Sequence, residues 1–276
     1  MVTSPKKELK RFLAEDLGNG DITTKLLKKQ QITARIFSRE KTIVAGTKFA
    51  KEIFQLKKCK VVIKKKDGIQ IKPNKTILQI TGNAAAILSC ERTVLNLLSR
   101  MCGIATRTNQ FYTIIKKSNS KTKLFATRKT APGLRYFDKV AVEIGGGEKH
   151  RMNLNEMIMI KDNHLAIEKS LPKLIAKAKK TRKKIEVEVE KTNDAVLAAE
   201  LGADIIMLDN FNPKRVKTTI KKLNKLGLRK KVRIEASGRI NEKNVSQYAN
   251  ADVDMISVGE ITNSPPGIDL SLEVNL

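Results

Sequence analysis

Residues 185–209 read IEVEVEKTNDAVLAAELGADIIMLD, and the fold follows from how that stretch divides. Ile185, Val187 and Val189 alternate with Glu186, Glu188 and Glu190, the period of a strand, so the three glutamates share one strand face. Thr192 to Leu201 reads as a helix, and Ile205-Ile206-Met207-Leu208 is an apolar strand closed by Asp209. Strand, helix and strand in that order make a βαβ unit with a right-handed crossover and a parallel sheet. The pattern repeats on both sides. Strands are predicted at Leu124 to Thr127, Met157 to Ile160, Ile185 to Val189, Asp204 to Leu208, Val232 to Ala236 and Asp254 to Val258. Helices are predicted at Ser170 to Lys180, Thr192 to Leu201, Pro213 to Leu226 and Glu242 to Ala249. Six strands within residues 124–258 point to a compact α/β barrel.

The strands end alike. Each closes on a polar or small residue: Arg128, Lys161, Glu190, Asp209, Ser237 and Gly259. The carboxyl ends of barrel strands form the active-site rim. Cations at two of these ends and carboxylates at two others suit a site for an anion together with a metal.

The chain before the barrel is organised differently. Residues 1–30 start as a helix and break at Leu17-Gly18-Asn19-Gly20-Asp21. Residues 31–83 read as short antiparallel strands, with Ile32, Ala34 and Ile36 alternating and turns at Lys66-Asp67-Gly68 and Pro73-Asn74. A long helix is expected from Ala84 to Lys117, with Gly103 as a weak point or bend. Spacing alone makes Glu91-Arg92 on that helix a surface ion pair.

Composition narrows the function classes. The 276 residues carry 55 Lys plus Arg against 28 Asp plus Glu, a net charge of +27. Such a balance raises nucleic-acid binding, but the lysines are spread along the whole chain and there is no Trp to stack on bases. The lysine runs therefore read as solvated faces, and no specific nucleic acid is expected. No apolar run approaches the roughly 20 residues a membrane helix needs, and the start, MVTSPKKELKRFLAEDLG, has no secretory h-region. Cys59, Cys90 and Cys102 are odd in number and lack CxxC spacing, which fits a reducing cytoplasm.

The site chemistry concentrates in residues 125–164, which hold both histidines, Gly145 to Gly147 and a cluster of cations. Arginine presents two parallel N–H groups to a carboxylate where lysine presents a point charge. Arg128, Arg151 and Arg135 therefore suit a dicarboxylate, and Lys129 and Lys161 suit phosphate oxygens. His150 can donate or accept a hydrogen bond beside Arg151. His164 reads equally as a site residue or as a turn residue after Lys161-Asp162-Asn163. Glu190 and Asp209 are candidate ligands, direct or through water, for a hard cation. Ala236-Ser237-Gly238 and Ser257-Val258-Gly259 are candidate phosphate turns. GxxxxGK[ST] and GxGxxG are both absent, so P-loop and dinucleotide readings lack support.

These motifs occur in a particular order: Glu15-Asp16-Leu17-Gly18-Asn19-Gly20-Asp21-Ile22-Thr23-Thr24, Glu91-Arg92-Thr93, Gly103-Ile104-Ala105-Thr106, Thr127 to Arg135, Gly145 to Gly147, His150-Arg151, Ile160 to His164, Glu186 to Glu190, Leu208-Asp209-Asn210, Glu235 to Gly238 and Ser257 to Gly259. In that order and over nearly its full length the chain resembles the quinolinate phosphoribosyltransferase family, the carboxylating nicotinate-nucleotide pyrophosphorylases. The resemblance implies an amino-terminal α/β sandwich over residues 1–105 and a carboxy-terminal open α/β barrel over 106–267. The tail 268–276 is expected to return to the first domain. It implies transfer of phosphoribose from phosphoribosyl pyrophosphate to quinolinate, with magnesium, in a homodimer where Arg92 reaches the neighbouring site. By similarity Arg128, His150, Arg151 and Arg92 hold the two carboxylates, and Lys129 and Lys161 contact donor and substrate. Glu190 and Asp209 organise magnesium pyrophosphate and the ribose, and Ser237, Gly238 and Gly259 receive the 5′-phosphate. Thr127, Arg135, Arg239, Val258 and Glu260 complete the substrate-binding set. The chain departs from the family at Arg239, where a small residue is usual and where an arginine could itself hold phosphate. It departs again at Asn263, where His is common. A same-fold relative associated with molybdenum uptake and a basic nucleic-acid-binding protein are the alternatives. The intact Arg128-Lys129-Thr130 and Lys161-Asp162-Asn163-His164 motifs favour quinolinate.

Overall fold

The computed structural model describes residues 4–118 and 121–275, which separate into two compact units. The first takes the chain up to Asn109, then Ala131–Gly146, then the chain from Ser264; the second takes Gln110–Thr130 and Gly147–Asn263. In order, the elements are α1 (Pro5–Leu17), β1 (Gln31–Ser38), β2 (Thr42–Ile43), α2 (Thr47–Leu56), β3 (Lys60–Ile63), β4 (Gln70–Ile71), β5 (Thr76–Asn83) and α3 (Ala84–Lys117). Then come β6 (Lys123–Ala126), α4 (Arg135–Ile144), β7 (Ile158–Ile160), α5 (Asp162–Glu168), α6 (Leu171–Lys179), β8 (Ile185–Val189) and α7 (Thr192–Glu200). The chain closes with β9 (Ile205–Asp209), α8 (Pro213–Lys225), β10 (Arg233–Ser237), α9 (Val245–Ala249), β11 (Met255–Val258), α10 (Glu260–Asn263) and β12 (Leu270–Asn275).

The first unit is built on an antiparallel sheet in the order β12-β1-β5-β3. Ile32, Ala34 and Ile36 of β1 are buried at the alternate positions their spacing predicts. The antiparallel reading passed over α2. Its Phe49, Ala50, Ile53 and Phe54 are buried at helical spacing, so the segment packs one apolar stripe inward. Gly103 does not interrupt α3, which runs from Ala84 to Lys117. Instead it lets the chain pass close by: a Cβ there would lie 1.8 Å from the carbonyl oxygen of Pro266. α4 is anchored by Phe137, which meets Phe12 at 5.6 Å and Phe49 edge-on at 5.0 Å.

The second unit contains all six predicted parallel strands, in the order β6-β11-β10-β9-β8-β7. Chain order is therefore preserved around the sheet, and β6 pairs with the last barrel strand, β11. Among the described residues no ladder joins β6 to β7, and only an isolated bridge from Phe125 to Glu148 lies on that side. This is an open barrel. Outward residues of β8, Ile185, Val187 and Val189, are buried under helices, while Glu186 and Glu188 point inward. Phe125, Ile205 and Met255, with Met157 against them, fill the barrel interior as an apolar plug. No helix among the described residues is long and apolar enough to cross a membrane.

Candidate active site

A cavity of about 370 Å³ opens within the second unit, lined by Thr127, Arg128, Lys129, His150, Arg151, Met159, Lys161, Glu188, Met207, Asp209, Glu235, Ser237 and Ser257. These come from the carboxyl ends of the strands and from the loop that enters β7. The strand pleat aims each of them: Glu188, Asp209 and Ser237 lie in register with their neighbours on adjacent strands. Buried polar atoms normally find partners. Arg128 Nε, both Glu186 oxygens, Glu235 Oε1 and Ser257 Oγ have none, and apart from Arg229 Nε they are the orphans found among the described residues. Their gathering at one place marks it as built for a polar guest. A larger cavity, about 680 Å³, lies at the opposite strand ends beside Lys123, Arg233 and Asp254 and contains none of the predicted site residues.

The cations are poised for an anion. The Arg151 guanidinium donates to the Met157 carbonyl at 3.3 Å and to the Met159 sulfur at 3.1 Å, a weak acceptor. Burial, and after it the neighbouring Arg128, push its guanidinium below the usual arginine range. An anion between the two arginines would relieve both effects. Lys161 is paired with Glu188. Its backbone is held by His164, whose Nδ1 accepts the Lys161 N–H at 3.0 Å at the start of α5. His164 is thus an exposed capping residue rather than a site residue. Lys129 donates its N–H to Thr127 Oγ1 at 3.1 Å, and its carbonyl accepts from Thr262 Oγ1 at 2.9 Å. Gly259 adjoins it, since a Cβ there would sit 3.3 Å from the Lys129 side chain. Thr262 is a positioning contact that the sequence reading missed.

The carboxylates correct the sequence in two places. Glu190 lies one residue beyond β8, is exposed and does not line the cavity. β8 ends at Val189, so the period of two does not extend to Glu190, although the Glu190 charge still helps to raise the Asp209 carboxyl. Arg215, stacked on Phe211 at 3.9 Å, holds the Glu190 backbone carbonyl instead. Glu188 is the glutamate that faces Lys161. Asp209 does line the cavity, and burial, then Glu188, raise its carboxyl above the usual range. Deeper in, Glu186 and Glu235 are fully buried beneath His150. Burial first, then Glu235, push the Glu186 carboxyl up to about 9. Glu235 was not among the predicted site residues, although it stands two positions before Ser237 on the same strand face.

His150 is held from both sides of its ring. Its Nδ1 accepts the Arg151 N–H at 2.8 Å, and its Nε2 faces Glu235 at 3.2 Å, so both ring nitrogens are engaged by the protein. It lines the cavity beside Arg151. Arg92, exposed on α3, and Arg135, which opens α4, belong to the first unit. Val258 is buried on the strand face opposite Ser257, which leaves only its backbone for the rim, and Arg239 is exposed outside the cavity lining. Glu260 opens α10 and Asn263 closes it, and neither lines the cavity.

Gly238 ties two strand ends together. Its φ is +92°, and an added Cβ would lie 2.4 Å from Asn210 Oδ1, where the Asn210 N–H bonds the Ser237 carbonyl at 2.9 Å. Gly238→Ala is expected to cost about 1–3 kcal/mol through overpacking and strain. Thermal unfolding should show a Tm several degrees lower, and an unchanged Tm would contradict the close approach.

Residues 21–102 match the family model described as the quinolinate phosphoribosyl transferase N-terminal domain, and residues 104–273 match that of its C-terminal domain. The chain belongs to the quinolinate phosphoribosyl transferase family. It is 44% identical over 255 residues to the probable nicotinate-nucleotide pyrophosphorylase (carboxylating) of Archaeoglobus fulgidus, covering 92% of this chain and 98% of that one. A solved nicotinate-nucleotide pyrophosphorylase from Ehrlichia chaffeensis superposes with a TM-score of 0.93 at 36% identity, over 100% of both chains. The one from Francisella tularensis gives 0.91 at 37% identity, over 98% of this chain and 96% of that one. Membership in the quinolinate phosphoribosyl transferase family carries the expected two-part fold, and the cavity described above occupies the barrel end where that fold builds its rim.

Proposed function

We propose that this chain transfers phosphoribose from phosphoribosyl pyrophosphate to quinolinate, releasing pyrophosphate and carbon dioxide and leaving nicotinate mononucleotide. The carrying observation is the Arg128–Arg151 pair, half-buried and mutually repelling in a cavity that Glu188, Asp209 and Glu235 also line, with Glu186 and Glu188 close enough to act on Arg151 only through their charge. Two forked cations suit the two adjacent carboxylates of quinolinate. Lys161 and Lys129 stand toward the donor, and the turns at Ser237-Gly238 and Gly259 receive its 5′-phosphate. The ring nitrogen then forms a bond to the ribose carbon as the bond to pyrophosphate breaks. The resulting pyridinium accepts the electrons of the adjacent carbon–carboxylate bond, carbon dioxide leaves, and that ring carbon takes a proton.

Magnesium fits this donor set. Asp209 supplies hard oxygens at the rim, and its raised carboxyl is the response of a carboxylate to burial and to Glu188, which a cation would reverse. When bound, magnesium neutralises pyrophosphate charge. Glu188, already paired with Lys161, shapes the local field. Two copies are proposed to act together, with the exposed Arg92 of one completing the other's site. Mixing Arg92→Ala with Lys161→Ala protein should then restore activity above either alone, and no recovery would sink the shared site.

The deciding assay supplies quinolinate, phosphoribosyl pyrophosphate and magnesium to folded protein and follows nicotinate mononucleotide. No product refutes the reading. Arg151→Ala should raise the quinolinate KM about 10–100-fold, the worth of a lost charged hydrogen bond, with little change in the donor's KM. An unchanged quinolinate KM would remove Arg151 from the clamp.

A further inference from the structure

His150 holds a left-handed φ of 53°, which a non-glycine residue keeps only where its surroundings enforce it. Its side chain is 7% exposed, and Phe125 presses on the ring edge-on at 5.7 Å. An imidazole nitrogen that accepts an N–H carries no proton, and Nδ1 accepts the Arg151 N–H at 2.8 Å. The ring proton therefore sits on Nε2, 3.2 Å from Glu235 Oε2 and 3.5 Å from Glu186 Oε2. His150, Glu186 and Glu235 are close enough together to suggest a metal site. The tautomer argues against one. A cation on Nε2 would need that nitrogen's lone pair and would force the proton onto Nδ1, directly against the Arg151 N–H.

We infer that Glu235 is a positioning residue: by accepting the Nε2–H of His150 it fixes the tautomer whose Nδ1 seats the backbone of Arg151. His150 then orients the arginine clamp without joining it. Glu186, fully buried with both oxygens unpartnered, backs Glu235 and can face a neutral amide as readily as a carboxylate. The inference rests on the assignment of Arg151 to quinolinate.

The protein has only two histidines, so nitrogen-15 labelling gives two imidazole signatures, and His164→Gln tells them apart. In the wild type His150 should appear as the neutral Nε2–H tautomer at neutral pH. Glu235→Ala should abolish that signature and raise the quinolinate KM about tenfold, the scale of one lost hydrogen bond, with kcat changed less than about threefold. Glu235→Gln, whose amide oxygen accepts the same bond, should restore both. An Nδ1–H or imidazolium His150 in the wild type overturns the inference, as does an unchanged KM in Glu235→Ala or a Glu235→Gln that matches it. Should Glu235→Ala fail to fold, the wild-type spectrum and the Glu235→Gln kinetics decide. A wild type without turnover refutes the quinolinate reading instead, and the tautomer is then decided by the spectrum, which needs no substrate.

Discussion

Lys161→Ala is expected to lower kcat about 10²–10³-fold, the loss typical when one preorganised donor is removed from developing negative charge. The size follows from two effects that act together. Lys161 is the cation at the end of β7, aimed by the backbone bond that His164 makes at the start of α5. It is also the partner of Glu188. Its removal takes a positive charge from the donor end and strips Glu188 of its ion-pair partner beside Asp209, whose carboxyl Glu188 already pushes up. Both changes make the rim more hostile to pyrophosphate. Lys161→Arg should recover little, because a bulky planar fork cannot replace a compact ammonium at this position. Glu188→Gln isolates the second effect: it removes the repulsion while keeping Lys161, so its kcat should stay well above that of Lys161→Ala. Steady-state kinetics on all three variants test the account. A Lys161→Ala enzyme within about threefold of wild type would show that Lys161 serves folding or packing rather than transfer.

Much of this was readable before any coordinates. In the unit β8–α7–β9 the alternation of Ile185, Val187 and Val189 against Glu186 and Glu188 set which side chains enter the barrel. The alternation stops being a guide at Glu190, because a period of two holds only while the chain stays extended and β8 stops at Val189. Glu235 was legible by the same rule, two residues before Ser237, but a motif ending in Ser-Gly drew attention to its last residues. Two helices, α2 and α4, are absent from the expected pattern for different reasons. α2 lies among short strands, where a brief apolar run is ambiguous between the two periods. α4 carries Asp138 and Lys139 on its buried side, and charges inside break the hydropathy pattern that marks a helix face. The engagement of both His150 nitrogens could not be read at all, because it depends on a backbone bend at left-handed φ and on a partner 85 residues away.

Arg100→Ala should destabilise the protein by about 3–5 kcal/mol, the cost of leaving one member of a buried ion pair without its partner. Asp138 has no exposed side-chain surface, and Arg100 donates Nε and Nη2 to its two oxygens at 2.7 and 2.8 Å. Burial raises the Asp138 carboxyl above its ordinary range, and the Arg100 bonds and charge are the main opposing influences. Without Arg100 the carboxyl must rise further. The sign of the pH response follows. A raised carboxyl binds its proton more tightly in the folded state than in the unfolded, so stability is lost as pH rises through the folded value. The deficit of Arg100→Ala relative to wild type should therefore be largest near neutral pH and shrink as acid protonates Asp138. Arg100→Ala with Asp138→Asn should be more stable than Arg100→Ala alone, because the stranded Asp138 carboxylate is gone. Urea unfolding midpoints at neutral and mildly acidic pH test this directly. A deficit below about 1 kcal/mol would mean that the pair is solvated enough to be dispensable. A deficit that grows on acidification would reverse the assigned cause, placing the loss in the packing of α4 rather than in the stranded carboxylate.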